Sequence, residues 1–406
     1  MIEIKGKYNS AKVFVDDYDK LEEACYKQIL NLLNQKFSEN SQIRIMEDCH
    51  AGSGCVIGFT QTIIDKVVPN LVGVDIGCGM QVLKISKDFH FDLKNLDKVW
   101  RANIPMGMTH RTTKHKFCEN VNFDNLITPI NKEKELLALG SLGGGNHFGE
   151  LDIDEEGNYY LVIHSGSRHL GIEVCKYWQN KAIEYQKAIR CTKSFLTVLK
   201  QNKAISEKDY EELLDKHRKE MPNVPNELAY LEGEDLKGYL HDMEIAQNFA
   251  YWSRKAMQDE ICKALNIKKK HIIDEFCTIH NYVDIKNKII RKGSISLYKD
   301  EIAIIPMNMA DGSLIVKGKG NEDRNCSGPH GAGRLMSRSV AKESLKMEDF
   351  KKSMKEVYTT SVCVGTIDES PMAYKPMQQI LETIDDTCEV LKIIKPIWNV
   401  KANDGE

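Results

Sequence analysis

The chain has 406 residues, of which 42% are hydrophobic and 28% are charged. This length allows a sizeable core, and the lack of any run of about eighteen apolar residues argues against a transmembrane helix. A formal net charge of −3 argues against a surface that is basic throughout, although a local basic groove for nucleic acid is compatible with it.

The amino-terminal residues and the cysteines indicate the compartment. MIEIKGKYNSAKVFVDD lacks the basic region, apolar stretch and cleavage site of a secretory signal, so we expect a cytoplasmic protein without membrane association. Twelve cysteines at irregular spacing, without a CxxC pair, predict buried thiols rather than disulfides. Cys78 differs from the others because glycines and an aspartate surround it.

Secondary-structure patterns are mixed in the first half of the chain. Apolar residues at helical spacing predict a helix over 18–38. Short β-prone runs beside turn residues predict strands at 54–60, 71–75, 81–86 and 159–164. The last of these strands would deliver His164 at its carboxyl end.

The second half mixes the same two patterns. Helices are predicted at 172–218, 237–266, 338–358 and 376–394, and strands at 279–283 and 301–305. We find no internal repeat, low-complexity tract or linker, and the segments rich in candidate functional residues come from both halves. This interleaving favours one α+β domain over two separate ones.

Six short segments place a metal-binding or nucleophilic side chain among glycines or in a turn. They are EDCHAGSG, VGVDIGCGM, GSLGGGNHFGE, VIHSGSRHLG, IHNYV and GPHGAGR. Glycine allows positive-φ turns and lets a phosphate or a metal approach bare backbone N–H groups. The segments therefore predict a rigid site with close backbone approach.

Four of these segments contain metal-donor side chains. A strand-end turn with a buried cysteine, a helix start after a flexible loop and satisfied core histidines would explain each segment alone. Together, one carboxylate, one thiolate and three imidazoles form a donor set that suits a transition metal better than calcium or magnesium. Zinc, manganese, iron and cobalt are all compatible with it. The predicted metal donors are Asp75, Cys78, His147, His164 and His280.

The segment GPHGAGRLMSR has a different character. His330 lies between a proline turn and a Gly-Ala-Gly loop that leads toward Arg334 and Arg338. Its imidazole could meet a phosphate held by backbone N–H groups, which predicts a nucleophile rather than a metal ligand. A helix-capping turn with an exposed histidine is the alternative.

These segments, in this order, resemble the RtcB family of RNA ligases. The resemblance extends over nearly the whole chain and includes NELAYLEG at 226–233, HGAGRLMSR, ESPMAYK at 369–375 and a lysine near the carboxyl end. It implies one domain over residues 1–406, with β-sheets flanked by helices around a deep metal-containing cleft. A helical insertion at roughly 172–266 is also expected.

The resemblance further implies a ligase that depends on GTP and two Mn²⁺ ions. Such an enzyme joins an RNA 3′-phosphate or 2′,3′-cyclic phosphate to a 5′-hydroxyl, in tRNA splicing or RNA repair. The five donors above match the family's metal ligands, with the Cys78 thiolate bridging. His330 matches the histidine that accepts GMP, and Asp48 supports the metal site or the 5′-hydroxyl. Implied nucleotide contacts are Asn146, Glu150, Asn308, Ser313, His330, Ala332, Gly333 and Lys401.

Broken RNA ends are the implied partner, and an archease-type activator is a further expected one. The loop PMNMADGS at 306–313 departs from the family pattern, because Met307 and Asn308 stand where relatives carry glycine and serine. Side chains there would reshape the triphosphate site. A specialised paralogue that guanylylates or processes damaged RNA ends, with altered nucleotide preference, is therefore a second hypothesis. A metalloprotein that binds RNA without catalysis is a third.

Overall fold

The computed structural model describes residues 1–15, 17–190, 209, 212–213 and 224–402. Within these residues the architecture is α+β, as predicted, with helices packed on two large sheets. The strands are β1 (Ile2–Lys5), β2 (Ser10–Val13), β3 (Ile43–His50), β4 (Ile57–Thr62), β5 (Lys66–Val67), β6 (Gly79–Ile85), β7 (Phe148–Ile153), β8 (Tyr159–Ser165), β9 (Leu231–Glu232), β10 (Ile272–Ile279), β11 (Asn281–Asp284), β12 (Ile289–Lys292), β13 (Ser294–Ser296), β14 (Ile302–Asn308), β15 (Gly312–Gly318), β16 (Ser327–Pro329) and β17 (Cys388–Val400). The helices are α1 (Glu23–Leu33), α2 (Leu93–Asn103), α3 (Lys132–Ala138), α4 (Arg168–Arg190), α5 (Gly233–Ala264), α6 (Arg338–Ser344), α7 (Met347–Ser353) and α8 (Met377–Leu381).

The two large sheets combine strands from both halves of the chain. One sheet has six strands in the order β1-β2-β3-β4-β12-β11, and the other has seven in the order β10-β6-β8-β7-β17-β15-β14. β12 pairs antiparallel with β4, and β17 lies between β7 and β15. Each half therefore covers strand edges that the other half would leave unpaired.

Helices α4 and α5 pack on each other, and α5 also packs on β6 and β8. Trp178 of α4 and Tyr239 and Phe249 of α5 belong to the largest buried cluster. In a second cluster, the Trp100 and Trp398 ring centroids lie 5.4 Å apart. Burial of side chains of this size stabilises the fold by about 1.5–3 kcal/mol each. The sheet that carries the metal donors is thus backed by a well-packed helix.

Several predicted elements are confirmed. β8 covers Tyr159–Ser165 and contains His164 next to its end. The predicted strands at 54–60, 81–86, 279–283 and 301–305 correspond to β4, β6, β11 and β14, with shifted boundaries, and the predicted helix at 237–266 corresponds to α5. Of the helix predicted over 172–218, α4 accounts for the part up to Arg190. The remainder lies outside the described residues, apart from 209 and 212–213.

The helix predicted over 376–394 is wrong for most of its length. α8 ends at Leu381, and the chain continues as β17 from Cys388. Exposed and more buried positions alternate over much of EVLKIIK, the pattern of a strand with one face turned inward. Pairing with β7 on one side and β15 on the other satisfies the backbone of β17 in a way that local helical spacing does not reveal.

Three further predictions need correction. The helix predicted over 18–38 is shorter, because α1 ends at Leu33. The helix predicted over 338–358 is divided into α6 and α7. The strand predicted over 71–75 is wrong, because Pro69–Leu71 forms a 3-10 turn and Gly73 takes a φ of 93°. Among the described residues, no helix has both the length and the apolar character needed to cross a bilayer.

Candidate active site

The turn VGVDIGCGM presents Asp75 and Cys78 at the start of β6. Gly77 in this turn has a φ of 70°, and a Cβ atom there would lie 2.9 Å from Ala250 Cβ and 3.0 Å from Gln247 Cα of α5. Both the left-handed backbone and the neighbouring helix therefore exclude a side chain at this position. Close packing on α5 sets the depth at which the two donors lie.

The three histidines reach the same edge of the seven-stranded sheet. His164 lies next to the end of β8, opposite Met80 of β6 and Phe148 of β7. His147 immediately precedes β7, and His280 immediately follows β10. In antiparallel neighbours, the end of one strand lies beside the start of the next, so these positions converge with the turn before β6.

The five predicted metal donors come together in two overlapping groups. The ligand atoms of Cys78, His164 and His280 lie within 4.8 Å of one another, and so do those of Asp75, Cys78 and His147. Cys78 Sγ lies 3.4 Å from His147 Nε2 and 3.3 Å from His164 Nε2. Cys78 is therefore the member common to both groups, the position that a bridging thiolate requires.

Donor atoms face one another within these groups. His147 Nδ1 lies 2.9 Å from the Leu142 carbonyl oxygen, to which it can donate, and Nε2 lies 2.9 Å from Asp75 Oδ2, so that a proton or a cation must lie between Nε2 and the carboxylate. His164 Nε2 and His280 Nε2 face each other at 3.4 Å. Cations placed between such atoms would satisfy all of them, and the mixed N, S and O donors suit a transition metal.

Burial controls the charge of this cluster. It lowers the pKa of His164 and His280 well below the usual value, so both imidazoles are neutral near pH 7, the form in which histidine can bind a metal. Burial, together with the Asp75 carboxylate, raises the pKa of the Cys78 thiol. For Asp75, burial also acts upward, but the attraction of His147 outweighs it and lowers the pKa to about 2. A bound cation would add the charge that ionises the thiol.

A second glycine explains how Asp75 fits. A Cβ atom on Gly166, which follows β8, would lie 1.9 Å from Asp75 Oδ1. No side chain at this position is compatible with the carboxylate where it stands. The glycine of VIHSGSR thus makes room for a donor that lies about ninety residues earlier in the sequence.

His330 lies beside the metal donors and is held by Asp48. Asp48 Oδ2 accepts a hydrogen bond from the His330 backbone N–H at 3.0 Å and lies 2.6 Å from His330 Nδ1. The contact to Nδ1 assigns the ring proton to that nitrogen and leaves Nε2 with a free electron pair. The His330 and His280 ring centroids are 5.0 Å apart. Gly333, with a φ of 73°, packs against the Asp48 backbone, where a Cβ would lie 2.9 Å from the carbonyl oxygen.

A cleft of about 500 Å³ connects these groups. Most of the predicted site residues line it, and they are Asp75, Cys78, Asn146, Glu150, His164, His280, Asn308, His330, Ala332, Gly333 and Lys401. Asp48 and His147 lie behind this lining and contact it through His330 and Asp75. Ser313 is buried in β15 and is not among the lining residues, and its hydroxyl has no hydrogen-bond partner among the described protein atoms.

A buried ion network lies in the wall of the cleft around Glu369. Glu369 accepts hydrogen bonds from Lys401 Nζ at 3.0 Å, from the Tyr374 hydroxyl at 2.8 Å and from Arg338 at 2.5 Å. Lys401 also donates to the Asn146 carbonyl at 3.2 Å. Burial acts to raise the pKa of Glu369, but Lys401 and Arg338 lower it to about 2. The carboxylate is therefore charged throughout the neutral range.

Glu150 has a different environment from Glu369. Its Oε2 accepts a hydrogen bond from Asn399 of β17 at 2.6 Å. Burial raises its pKa to about 7, and the Asn399 hydrogen bond only partly opposes this. Glu150 therefore lies close to the border between charged and neutral at physiological pH.

The loop that follows β14 forms a turn that the Asn308 side chain stabilises. Asn308 Oδ1 accepts hydrogen bonds from the Ala310 and Asp311 backbone N–H groups at 3.0 and 2.9 Å, and Nδ2 donates to Asp311 Oδ2 at 2.7 Å. Met307 lines the cleft beside it and is buried. A nucleotide-binding role of Asn308 stays a prediction.

Glu369, Tyr374 and Asn399 are among the residues of the cleft wall that sequence reasoning missed. Glu369 and Tyr374 belong to the ESPMAYK segment, but nothing local indicated that Glu369 would meet the cations Arg334, Arg338 and Lys401. Asn399 carried no signal beyond its place in β17, which was itself predicted as a helix up to residue 394. Arg334 and Arg338, which the sequence placed near a phosphate, do line the cleft.

The site thus combines a two-group cluster of transition-metal donors with an oriented histidine on one cleft of an α+β fold. This combination is typical of a metal-assisted nucleotidyl transferase. The sequence model of the family described as "tRNA-splicing ligase RtcB" matches residues 28–129 and 124–402. The chain belongs to the RtcB family, which confirms the resemblance seen in its motifs.

Relatives from bacteria and archaea match over most of their length. The "RNA-splicing ligase RtcB" of Escherichia coli (strain K12) is 30% identical over 93% of each chain. The "tRNA-splicing ligase RtcB" of Methanococcus maripaludis is 24% identical over 96% of this chain and 94% of its own. The protein of that name from Nanoarchaeum equitans is 24% identical over 88% of this chain and 87% of its own.

Proposed function

We propose that this protein is an RNA ligase that uses GTP and Mn²⁺ to join an RNA 3′-phosphate or 2′,3′-cyclic phosphate to a 5′-hydroxyl. The reaction proceeds through GMP bound to His330 and serves tRNA splicing or RNA repair. The observation that carries the proposal is the Asp48–His330 pair, which engages Nδ1 of a cleft-lining histidine and leaves its Nε2 available beside the metal donors.

Two Mn²⁺ ions would be held by the five donors, with Cys78 common to both. When bound, they would neutralise the negative charge that collects on the transferring phosphoryl groups. His164 and His280 are neutral, which is the protonation state that binding of a metal ion requires. The donor set accommodates several first-row metals, so the choice of manganese among them rests on the family resemblance.

The chain's own residues support the transfer of GMP. With its Nδ1 proton held by Asp48, His330 Nε2 attacks the α-phosphorus of GTP, and pyrophosphate leaves. A 2′,3′-cyclic phosphate end is first hydrolysed by water to a 3′-phosphate and a free 2′-hydroxyl. The GMP then passes from His330 to the RNA 3′-phosphate, which frees His330 and forms an activated end. The 5′-hydroxyl attacks this end, loses its proton and displaces GMP. Asp48 stabilises the positive charge that the imidazole gains on reacting.

The nucleotide lies along the remaining wall of the cleft in this proposal. Asn146, Ala332 and Gly333 lie near the phosphates, and Lys401 and Glu150 contact the base. A charged Glu150 can accept hydrogen bonds from guanine N1–H and the 2-amino group, a pair of donors that adenine lacks. Asn308 and Ser313 stay predicted contacts, which the turn and burial described above do not by themselves support.

Ligation is favoured over the specialised paralogue. Similarity to a named RNA-splicing ligase over 93% of the chain supports it, and Asn308 is occupied in its own turn rather than blocking the cleft. Reaction in the cytoplasm is proposed because the free Cys78 thiol stays reduced there. An archease-type activator is a further proposed partner.

The test begins with the purified protein, Mn²⁺ and GTP labelled at the α-phosphate. We expect acid-labile label on the protein, its transfer to RNA with a 2′,3′-cyclic phosphate, and a joined product when a 5′-hydroxyl end is present. His330→Ala should bind Mn²⁺ normally and take up no label. Absence of labelled parent protein would contradict the proposal.

A further inference from the structure

Next to Glu150, the same strand carries a second buried carboxyl group. Glu150 and Asp152 are two residues apart on β7 and so share one face of the sheet. Both are buried, with 3% and 0% of their surfaces exposed, and each carboxyl group acts on the pKa of the other. Burial of two acidic groups without a cation between them needs a chemical explanation.

The surroundings of Asp152 offer no other donor among the described residues. Neither of its carboxyl oxygens has a hydrogen-bond donor among the described protein atoms. Tyr160 lies opposite Asp152 on β8, but its hydroxyl donates to Asp154 at 3.0 Å. Asn399 of β17 donates to Glu150, and Lys401 is the cation that acts on Glu150.

Two carboxylates in contact inside a protein cannot both be charged, so one of them keeps a proton and donates it. Burial and the adjacent Glu150 raise the pKa of Asp152 well above its usual range. Glu150 has the additional donors that favour a negative charge, since Asn399 and Asp152 hydrogen-bond to it and Lys401 attracts it. The proton therefore belongs on Asp152, and the charge on Glu150.

We propose that Asp152 is a positioning residue for guanine recognition: as a neutral acid, it donates a hydrogen bond to Glu150 and keeps that carboxylate charged and fixed in the cleft. The inference rests on the proposed function, because it assumes that Glu150 receives the guanine base. Asp152 itself is not among the residues that line the cleft, so it acts only through Glu150.

Two variants of the full-length protein with Mn²⁺ separate donation from packing. Asp152→Asn keeps a donor of the same shape, whereas Asp152→Leu has a similar shape without one. The measurements are the GTP concentration for half-maximal labelling of His330 and the maximal labelling rate. At pH 7, we expect the GTP concentration for half-maximal labelling to be at least about 10-fold higher in Asp152→Leu than in the parent, with the maximal rate preserved. Asp152→Asn should stay within about threefold of the parent.

The pH dependence provides a readout that a structural role would not change. Loss of the donor would raise the pKa of Glu150 beyond its value of about 7, so the carboxyl is largely neutral at pH 7 in Asp152→Leu. Its charge, and with it GTP recognition, should return as the pH is raised toward about 9. The charged groups around Glu150 that could alter this profile are Asp152 itself and Lys401.

Three results would overturn the inference: unchanged GTP requirement in Asp152→Leu, an equal loss in Asp152→Asn, or a loss that does not vary with pH. Should the leucine variant not fold, Asp152→Thr and Asp152→Val repeat the comparison with a matched hydroxyl donor. Failure of the parent to take up label would instead count against the proposed function.

Discussion

Asp48 contacts His330 twice, at the backbone N–H and at the ring Nδ1 atom, and both contacts restrict how the imidazole can react. The backbone contact holds the turn, and the ring contact selects the tautomer with Nε2 free. Asp48 is fully buried, so its charge acts on the ring with little screening by water. A carboxylate in this position resembles the aspartate that orients a catalytic histidine in other nucleophilic sites.

Asp48→Asn should slow labelling of His330 by GTP on the order of 10²-fold or more, because the amide keeps the shape and loses the charge that stabilises the reacted imidazole. The rate of label uptake measures this, and bound Mn²⁺ should be unchanged. Asp323→Asn, which alters an exposed ion pair with Lys12, is the matched control and should label like the parent. Normal labelling in Asp48→Asn would contradict the role given to this carboxylate.

Cys78→Ala should weaken the binding of both metals, because its Sγ belongs to both donor groups. His164→Ala should mainly reduce one, since His164 belongs to the group with Cys78 and His280. Metal analysis of each variant after equilibration with Mn²⁺ gives the number of bound ions. Loss of the same single ion in both variants would argue against a bridging thiolate.

At the scale of elements, the turn that carries Asp75 and Cys78 depends on a helix, α5, that contributes none of the five predicted metal donors. α5 packs against Gly77 so closely that a methyl group would meet Ala250 and the Gln247 backbone. Gly145, in the GGGN loop, has a similar φ of 66°, yet a Cβ there would meet nothing within 4 Å. Both glycines therefore adopt a positive φ that disfavours a side chain, but only Gly77 is also closely packed against a neighbouring element.

Gly77→Ala should lower the free energy of unfolding by about 1–3 kcal/mol more than Gly145→Ala, because it adds overpacking to a shared backbone strain of about 1–3 kcal/mol. Urea unfolding of both variants without added metal measures the difference. Displacement of the turn should also weaken metal binding in Gly77→Ala. Equal destabilisation of the two variants would show that α5 can move away from the turn.

At the scale of the whole molecule, a buried ion network joins distant parts of the chain. Glu369 is bonded to Lys401, which follows β17, and to Arg338 of α6. Lys401 in turn reaches the Asn146 carbonyl before β7. Removal of one member of such a network leaves buried charges without partners.

Acid should destabilise the protein through Glu369. The pKa of its carboxyl group is about 2 in the folded state, against an ordinary value of 4.5. The stabilisation is therefore present above about pH 4.5 and is lost as the pH falls toward 2, by about 3 kcal/mol. Glu47 and Glu150 act in the opposite sense, because burial raises the pKa of each to about 7 in the folded state. Between about pH 4.5 and 7 their carboxyl groups ionise more readily in the unfolded state, so their contribution to stability falls as the pH rises through this range.

Glu369→Gln isolates this contribution. The variant should be less stable than the parent at neutral pH, and the two free energies of unfolding should converge as the pH falls below about 4.5. Chemical unfolding at a series of pH values gives both curves, and Glu47 and Glu150 affect them equally. A constant difference down to pH 2 would mean that the Glu369 carboxylate is not held in its charged form.

Some elements were predictable because their pattern is local. β8 is a short apolar run, and the length of this run predicts that His164 lies near the end of the strand. β17 was not predictable in the same way, because its register is set by β7 and β15, and its alternation was masked by apolar residues at helical spacing. Glu369 was missed for a similar reason, since its partners are brought to it only by the fold.

The sequence by itself determined the chemistry on offer: the mixed thiolate, imidazole and carboxylate donors, the glycine-flanked histidine and the family to which the chain belongs. These are properties of residue types and short motifs, which need no knowledge of neighbours in space. The tertiary structure alone decided that Asp48 holds His330 across 282 residues of sequence and that Asp152 lies behind Glu150. Proximity of this kind depends on sheet register and long-range packing, which no local pattern encodes.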